Sequence, residues 1–272
     1  MKVKTLGKNN RPVIVCIPGM FCDYTSVLPF AEYLADDFFV IIPTLDGHYK
    51  DSPDYSGADK QAEKLLAKLK KLKVRRITLL QGTSMGAEVA LAFARCSDIP
   101  VDRCVFDGGP FFDFPDAAKA FMRRRFSGFL KKYKGKTAED VLKDPLVRWL
   151  GGEDARYYRG MIDSFVRSAD FITPNTVRNA VETCYACKLP DFSEEEQHRF
   201  QFCWSEKEPA HKSKKRVMEK YPSASFTDWL GNGHVGFQAK NPEGYALFLA
   251  DQTRFDCFDR GFLVKSENKE PE

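Results

Sequence analysis

The sequence has no apolar run long enough to cross a bilayer, which takes about 20 residues. Val13–Ile17 is the kind of run it does have, and Pro18-Gly19 stops it. Met1-Lys-Val-Lys-Thr-Leu6 carries positive charge with no apolar stretch behind it, so no export signal is expected and the cytosol is the expected compartment. Charge of one sign is scarce as well: the formal net charge is +4 over 272 residues. With so small an excess and no binding motif, a nucleic-acid partner is not expected. No internal repeat is present, so a solenoid or propeller is excluded.

Cysteine is present without a framework. The eight cysteines stand at 16, 22, 96, 104, 184, 187, 203 and 257. Several lie inside apolar runs, where a thiol behaves as a small hydrophobe in a reducing compartment. Cys184-Tyr-Ala-Cys187 is the lone CxxC. With no second CxxC and no HxxxH, a zinc site lacks its remaining ligands. The pair reads as buried thiols at i and i+3 of a helix, and neither metal nor cofactor is expected.

What is present is ordinary for a packed globular chain: 43% apolar and 29% charged residues. Only the tail after Val264 looks too polar to pack. Short apolar runs, Pro12–Ile17, Phe38–Ile42, Arg76–Leu80 and Arg103–Asp107, alternate with amphipathic stretches. Asp23 is placed to cap a helix over 24–36, Ser56-Gly57 to open a second, and Ser84–Cys96 reads as a third. Strands in alternation with helices imply βαβ units, and continuous rather than alternating apolar runs imply a parallel sheet covered on both faces.

After Gly108-Gly109-Pro110 the rhythm changes. Helices are expected over 116–133, 137–150, 154–168 and 174–187, with no strand. Strands resume at Arg199–Trp204 and Ala224–Asp228, with helices over 209–221 and 242–258. The expected organisation is an α/β core of residues 1–109 and 199–272 interrupted by a helical insertion, 110–198.

Gly82-Thr-Ser84-Met-Gly86 sits between the buried strand ending at Leu80 and the helix-forming Ala87–Ala94. A serine on a sharp strand-to-helix turn has strained φ and ψ, and residues two away on either side would meet neighbouring backbone, so both positions favour glycine. The turn would lift Oγ above the sheet and aim a helix N-terminus at developing negative charge. A glycine-flanked helix cap without chemistry is the bland alternative.

A serine nucleophile needs a base. His198 and His211 lie in polar stretches. His234 lies in Gly231-Asn-Gly-His-Val-Gly236, a glycine-rich loop between the last strand and the last helix, which should return over the C-terminal edge of the sheet. The acid should follow the preceding strand, in Cys203-Trp-Ser-Glu206-Lys-Glu208-Pro209. Glu208 is the first choice, Glu206 the second and Asp228 a distant third. An oxyanion hole would draw one N–H from Met85 and one from the Pro18-Gly19-Met20 loop. Pro18 has no N–H, so Met20 is the better donor.

These residues resemble the α/β-hydrolase superfamily. Pro18-Gly19-Met20 is similar to its His-Gly-x oxyanion loop, and Thr44-Leu-Asp46-Gly47-His48-Tyr-Lys-Asp-Ser52 to its D-x-x-G-H-G-x-S stretch. Trp204–Pro209 is similar to W-G-x-x-D-P, and Gly233-His234 to its terminal Gly-His. The resemblance covers about residues 12–109 and 199–258. It implies a doubly wound, mostly parallel sheet with a helical cap, and a triad in the chain order Ser84, Glu208, His234, which passes over His48. Pro18 for His and Glu208 for Asp are departures. A serine at 84 sets the chain apart from branches whose nucleophile is a carboxylate.

The expected activity is hydrolysis of a carboxylic ester, thioester or lactone of a small-molecule acyl substrate. Amide or carbon–carbon hydrolysis and acyl transfer use the same parts. The other class is a binding protein that holds a ligand under the cap with little turnover. Phe111, Phe112, Phe114, Trp149, Tyr157, Tyr158, Phe165 and Tyr185 supply aromatic surface in the insertion, most of it for the insertion's own core. Residues 121–136 hold seven basic residues and no acid; further basic runs lie at 68–76 and 212–216. They read either as solvated helix faces or as attraction for an anionic substrate or lipid surface.

Overall fold

Seven strands form one sheet in the order β1-β3-β2-β4-β5-β6-β7. They are β1 (Lys2–Leu6), β2 (Val13–Ile17), β3 (Phe39–Thr44), β4 (Ile77–Thr83), β5 (Val101–Asp107), β6 (Phe200–Ser205) and β7 (Ser225–Trp229). The computed structural model describes residues 1–144 and 156–254. The expected helical ends between 145 and 155, Trp149, Cys257, and the end of the last expected helix lie outside those residues.

Six strands run parallel and β1 alone is antiparallel, paired to β3 from Lys2↔Thr44 to Leu6↔Val40. The apolar pattern did not announce β1. Lys2, Lys4 and Thr5 are exposed because this is an edge strand, and lysines there also discourage pairing with other chains. β1 also explains why β3 runs through Pro43, expected to end it: Val3 pairs with Pro43, which lies beyond the register that β3 shares with β2, so the strand there has a neighbour on one side only, where proline is tolerated.

The helices are α1 (Leu28–Leu34), α2 (Ala58–Lys71), α3 (Met85–Cys96), α4 (Asp116–Tyr133), α5 (Ala138–Lys143), α6 (Arg159–Ala169), α7 (Pro174–Tyr185), α8 (Glu194–Gln197), α9 (Lys214–Lys220), α10 (Gly236–Lys240) and α11 (Pro242–Gln252). α2 and α3 pack together, and α1 packs with α11. Two core clusters separate accordingly, one around Leu65, Leu80 and Phe106 and the other around Phe30, Val105 and Leu249. Each strand from β2 to β6 therefore faces apolar side chains on both sides, which is why its sequence runs apolar without alternation. Among the described residues no helix is long and apolar enough to cross a membrane.

Several expected elements change form. Asp23 does accept from the Thr25 N–H, but it caps a 3-10 turn over Tyr24–Ser26, and the α-helix begins only at Leu28. The stretch after Pro209 opens as a 3-10 turn and becomes helical at Lys214. α7 stops at Tyr185, short of Cys187, because the backbone there pairs with the chain leaving β5. Phe112 N–H donates to Cys184 O at 3.2 Å and Cys187 N–H to Phe112 O at 2.8 Å. Both thiols are unpaired and buried, and burial raises their pKa. The short α8 and α10 carried too few residues to show a period.

β4 and β2 lie side by side, yet the chain leaves β2 toward β3 and leaves β4 toward β5. In an open parallel sheet such a reversal opens a crevice above the strand ends. The strand ends are level, with Ile17 beside Gly82, Thr83 beside Asp107, and Ser205 beside Trp229. The loops that follow them carry Met20, Ser84, Glu208 and His234.

Candidate active site

Ser84 stands at φ 53° and ψ −125°, between β4 and the first turn of α3. Its N–H donates to Asp107 O at 2.8 Å, which ties the turn to the neighbouring strand. The glycines answer to contact. A Cβ on Gly82 would stand 2.3 Å from Gly86 O, and one on Gly86 would stand 2.4 Å from Ile17 O. A Cβ on Gly19 would stand 3.2 Å from Ser84 Cβ, so the loop after β2 lies directly against the nucleophile candidate. Gly86→Ala is accordingly expected to cost about 3 kcal/mol or more of stability, since the opposing atom is backbone and cannot swing aside. Urea unfolding measures it, and a loss below about 1 kcal/mol would mean the elbow is looser than drawn.

His234 Nε2 lies 3.0 Å from Ser84 Oγ, and Nδ1 faces Glu208 Oε2 at hydrogen-bond distance. A carboxylate only accepts, so the proton sits on Nδ1 and Nε2 is left to accept from Oγ–H. The Glu208 side chain is buried, while the His234 side chain stays 42% exposed. Glu208 is held at its other oxygen by the Ser205 N–H at 2.6 Å. It precedes Pro209 in extended backbone, φ −89° and ψ 145°, as residues before proline prefer. Burial pulls the His234 pKa down, but the Glu208 hydrogen bond and charge, with Asp107 behind them, hold it above its ordinary value.

The other acid candidates lie elsewhere. Glu206 accepts from the Gly231 N–H at 2.8 Å, and Asp228 pairs with His211 at 3.2 Å and with Lys214. Of the two oxyanion candidates, Met85 offers an N–H in the first turn of α3, where helix geometry leaves donors without intrahelical partners. Met20 follows Gly19 and precedes Phe21, whose φ of 61° turns the loop back on itself.

Asp107 was missed. It ends β5, is 1% exposed, and accepts from Trp229 Nε1 at 3.1 Å and Gln238 Nε2 at 3.0 Å. Burial, then the Glu208 charge, pushes its carboxyl up to about 7 against hydrogen bonds from Tyr245 and Trp229. The next residue, Gly108, is at φ +66°, and a Cβ on it would stand 3.1 Å from Glu208 Oε2 and 3.3 Å from His234 Cε1. An acid at the end of a buried strand followed by Gly-Gly-Pro was the available signal. His48 is fully buried, with Nδ1 2.9 Å from Asp46 O, and burial lowers its pKa to about 4.

Helices α6 and α7, between β5 and β6, are fastened to the loops at this edge. Ser164 of α6 holds Asp23, donating to Oδ1 at 2.9 Å and accepting its N–H at 2.7 Å. Arg167 adds an ion pair to the same aspartate. On α7, Asn179 Nδ2 donates to Tyr55 O at 2.7 Å, and Thr176 Oγ1 accepts from Tyr55 N–H at 3.1 Å. The Tyr158 hydroxyl lies where a Cβ on Gly236 would meet it at 2.9 Å, against the loop that carries His234. Phe112, Phe114 and Tyr185 stack together, whereas Phe129, Tyr133 and Phe165 form a separate small core. Phe111, expected with the insertion, instead belongs to the main core, edge-on to Phe106 and Phe202.

No group of three or more His, Cys, Asp or Glu among the described residues is arranged to hold a metal ion. The basic run at 212–216 has a structural role: Arg216 donates to Phe111 O at 2.6 Å and Cys187 O at 2.9 Å. In the run at 68–76, Lys70 pairs with Asp98 and Arg76 with Asp102.

A family model described as the alpha/beta hydrolase fold matches residues 12–145. With the sheet order, the elbow and the strand-end loops above, the chain has the α/β-hydrolase fold. Among solved structures it is similar to an α/β-hydrolase family protein from Desulfitobacterium hafniense, with 19% identity, 92% of this chain and 99% of that one covered, and a TM-score of 0.70. It is also similar to a thermophilic esterase from Thermogutta terrifontis (20% identity, 93% and 92% covered, TM-score 0.69) and to an enol-lactonase from Burkholderia xenovorans (16% identity, 93% and 95% covered, TM-score 0.68). At these identities the likeness is one of fold. No curated protein matches the chain in sequence.

Proposed function

We propose that the chain is a serine hydrolase that cleaves a carboxylic ester, or a related acyl bond such as a thioester or lactone, beneath a cap formed by residues 110–198. The observation that carries this reading is the relay from Ser84 Oγ through His234 to the buried Glu208. His234 Nε2 takes the hydroxyl proton as Oγ attacks the acyl carbon. Glu208 holds the imidazole in the tautomer that can accept it and stabilises the cation that results. The N–H groups of Met85 and Met20 would stabilise the oxyanion, with Gly19 keeping the space beside Ser84 free of a side chain. His234 returns the proton to the leaving alcohol. The ester to Ser84 is then hydrolysed by water that His234 deprotonates, releasing acid and free serine. No step calls for a cofactor. An esterase and an enol-lactonase stand among the structural neighbours, which agrees with the reading.

A fluorophosphonate probe tests it. The expected result is one covalent adduct on the peptide containing Ser84, together with turnover of a short p-nitrophenyl ester. Folded protein that neither labels nor turns over would point instead to a ligand-binding protein on this fold.

A further inference from the structure

We infer that the outer face of α4 is a docking surface for an anionic lipid bilayer. The observation lies in how charge divides around this helix. The inward cations have partners: Lys119 and Arg123 both pair with Glu182 of α7. Leu130 and Tyr133 are buried on that side, and Phe126 packs edge-on against Phe21 at 5.8 Å, beside the Met20 loop. The outward face reads Ala117, Phe121, Arg124, Gly128 and Lys131, spaced by four, three, four and three residues, so they form one stripe. Arg125 and Lys132 flank it. Arg124, Arg125 and Lys131 are exposed and make no ion pair with another described residue, and from Ala117 to Thr137 the chain has no acid.

Phe121 stands in the middle of this stripe, 63% exposed. Phe114 and Phe129 are also exposed, but they stack on other rings of the protein. Phe121 does not. Small residues at 117, 120 and 128 leave the phenyl ring as the most prominent apolar group, ringed by long cationic side chains. Such side chains can keep their charge at phosphate level while their stems follow an apolar neighbour inward. That is complementary to a surface with negative headgroups over an apolar layer. A purely phosphate-binding surface would have no use for the unpaired ring. Because the opposite face of α4 rests on Phe21, a docked molecule would hold its strand-end loops beneath the membrane-facing helix.

Flotation with vesicles tests the inference. The full chain should float with vesicles of equal parts phosphatidylcholine and phosphatidylglycerol, remain unbound with phosphatidylcholine alone, and be released by high salt as the ions screen the attraction. Each cation contributes about fivefold in partitioning, so the double variant Arg124→Glu, Arg125→Glu should lose at least about 25-fold. Phe121→Ser should lose about tenfold, and the fluorescence gained in Phe121→Trp should shift to the blue on binding. All these positions are exposed, so thermal melts should match wild type. Ser84→Ala should float as wild type does, whatever becomes of the proposed reaction. Wild type that stays unbound, charge-reversed protein that still floats, or a Phe121→Trp variant whose emission does not move would each overturn the inference. So would equal retention of wild type and Phe121→Ser on an immobilised RNA, which would mark a general polyanion surface.

Discussion

Ser84→Ala is expected to lower kcat/KM for a short p-nitrophenyl ester by about a million-fold, to the residual rate left by binding and oxyanion stabilisation. His234→Ala should fall by a similar factor, and the double variant should fall hardly further. In the proposed reaction Oγ and Nε2 act as one unit: without the acceptor 3.0 Å away the hydroxyl keeps its proton, and without the hydroxyl the base has nothing to activate. Purely additive losses would mean that the two residues act separately, and the relay would fail as an account. Stability should change by no more than about 0.5 kcal/mol in Ser84→Ala. The side chain leaves an open site rather than the core, and the backbone bond from Ser84 N–H to Asp107 O survives the change. An unfolding curve run beside the kinetics separates lost chemistry from lost structure. Residual activity above about one part in a thousand would move the nucleophile elsewhere.

The elbow was legible because its requirements are local. A strained φ, two backbone contacts and a helix start all fall within five residues, and each demands a small or particular residue type. His234 was legible because a glycine-rich loop placed between the last strand and the last helix has only one edge of the sheet to return to. Choosing Glu208 over Glu206 needed more. The two differ by one turn of a tight bend, and what separates them is the Ser205 N–H that holds Glu208 inward while Glu206 caps the Gly231 backbone.

Asp107 escaped for the opposite reason. It is a buried polar group, and what surrounds it is not written nearby. Trp229 and Gln238 come to Asp107 from across more than a hundred residues, and no periodicity encodes that meeting. The fastening of the insertion is equally long-range. Asp23 looked like a helix cap and is one, but its carboxylate also receives Ser164 and Arg167 from α6. β1 was hidden because an edge strand with one covered side need not be apolar, and Lys2-Val-Lys-Thr-Leu6 is not.

Glu208→Gln is expected to cut kcat by about 10⁴-fold and to change its pH dependence. The amide can turn its NH₂ toward His234 Nδ1, which moves the ring proton to Nε2 and leaves nothing to accept from Ser84. The sign of the pH effect follows from the same contact. His234 must be neutral to act as base, so kcat/KM rises through its pKa, which Glu208 holds above the ordinary value of about 6.5. Loss of the Glu208 charge should bring the acid limb down in pH even as the plateau falls. Asp107→Asn should move the limb the same way by less, with a smaller loss of rate, because it adds its charge to the imidazole from behind Glu208. Stability supplies a second readout. Both His234 and Asp107 bind a proton more tightly folded than unfolded. Wild-type stability should therefore carry a component that falls as pH rises, between about 4 and 7 through Asp107 and above that through the raised pKa of His234, set against a rising component from buried His48, whose lowered pKa favours the folded state as pH climbs from about 4 to 6.5. Asp107→Asn should flatten the first part of that slope and Glu208→Gln the second. Urea midpoints measured from pH 5 to 9 give the test. If the acid limb stays fixed in Glu208→Gln, the group that limits activity is not the imidazole that Glu208 touches.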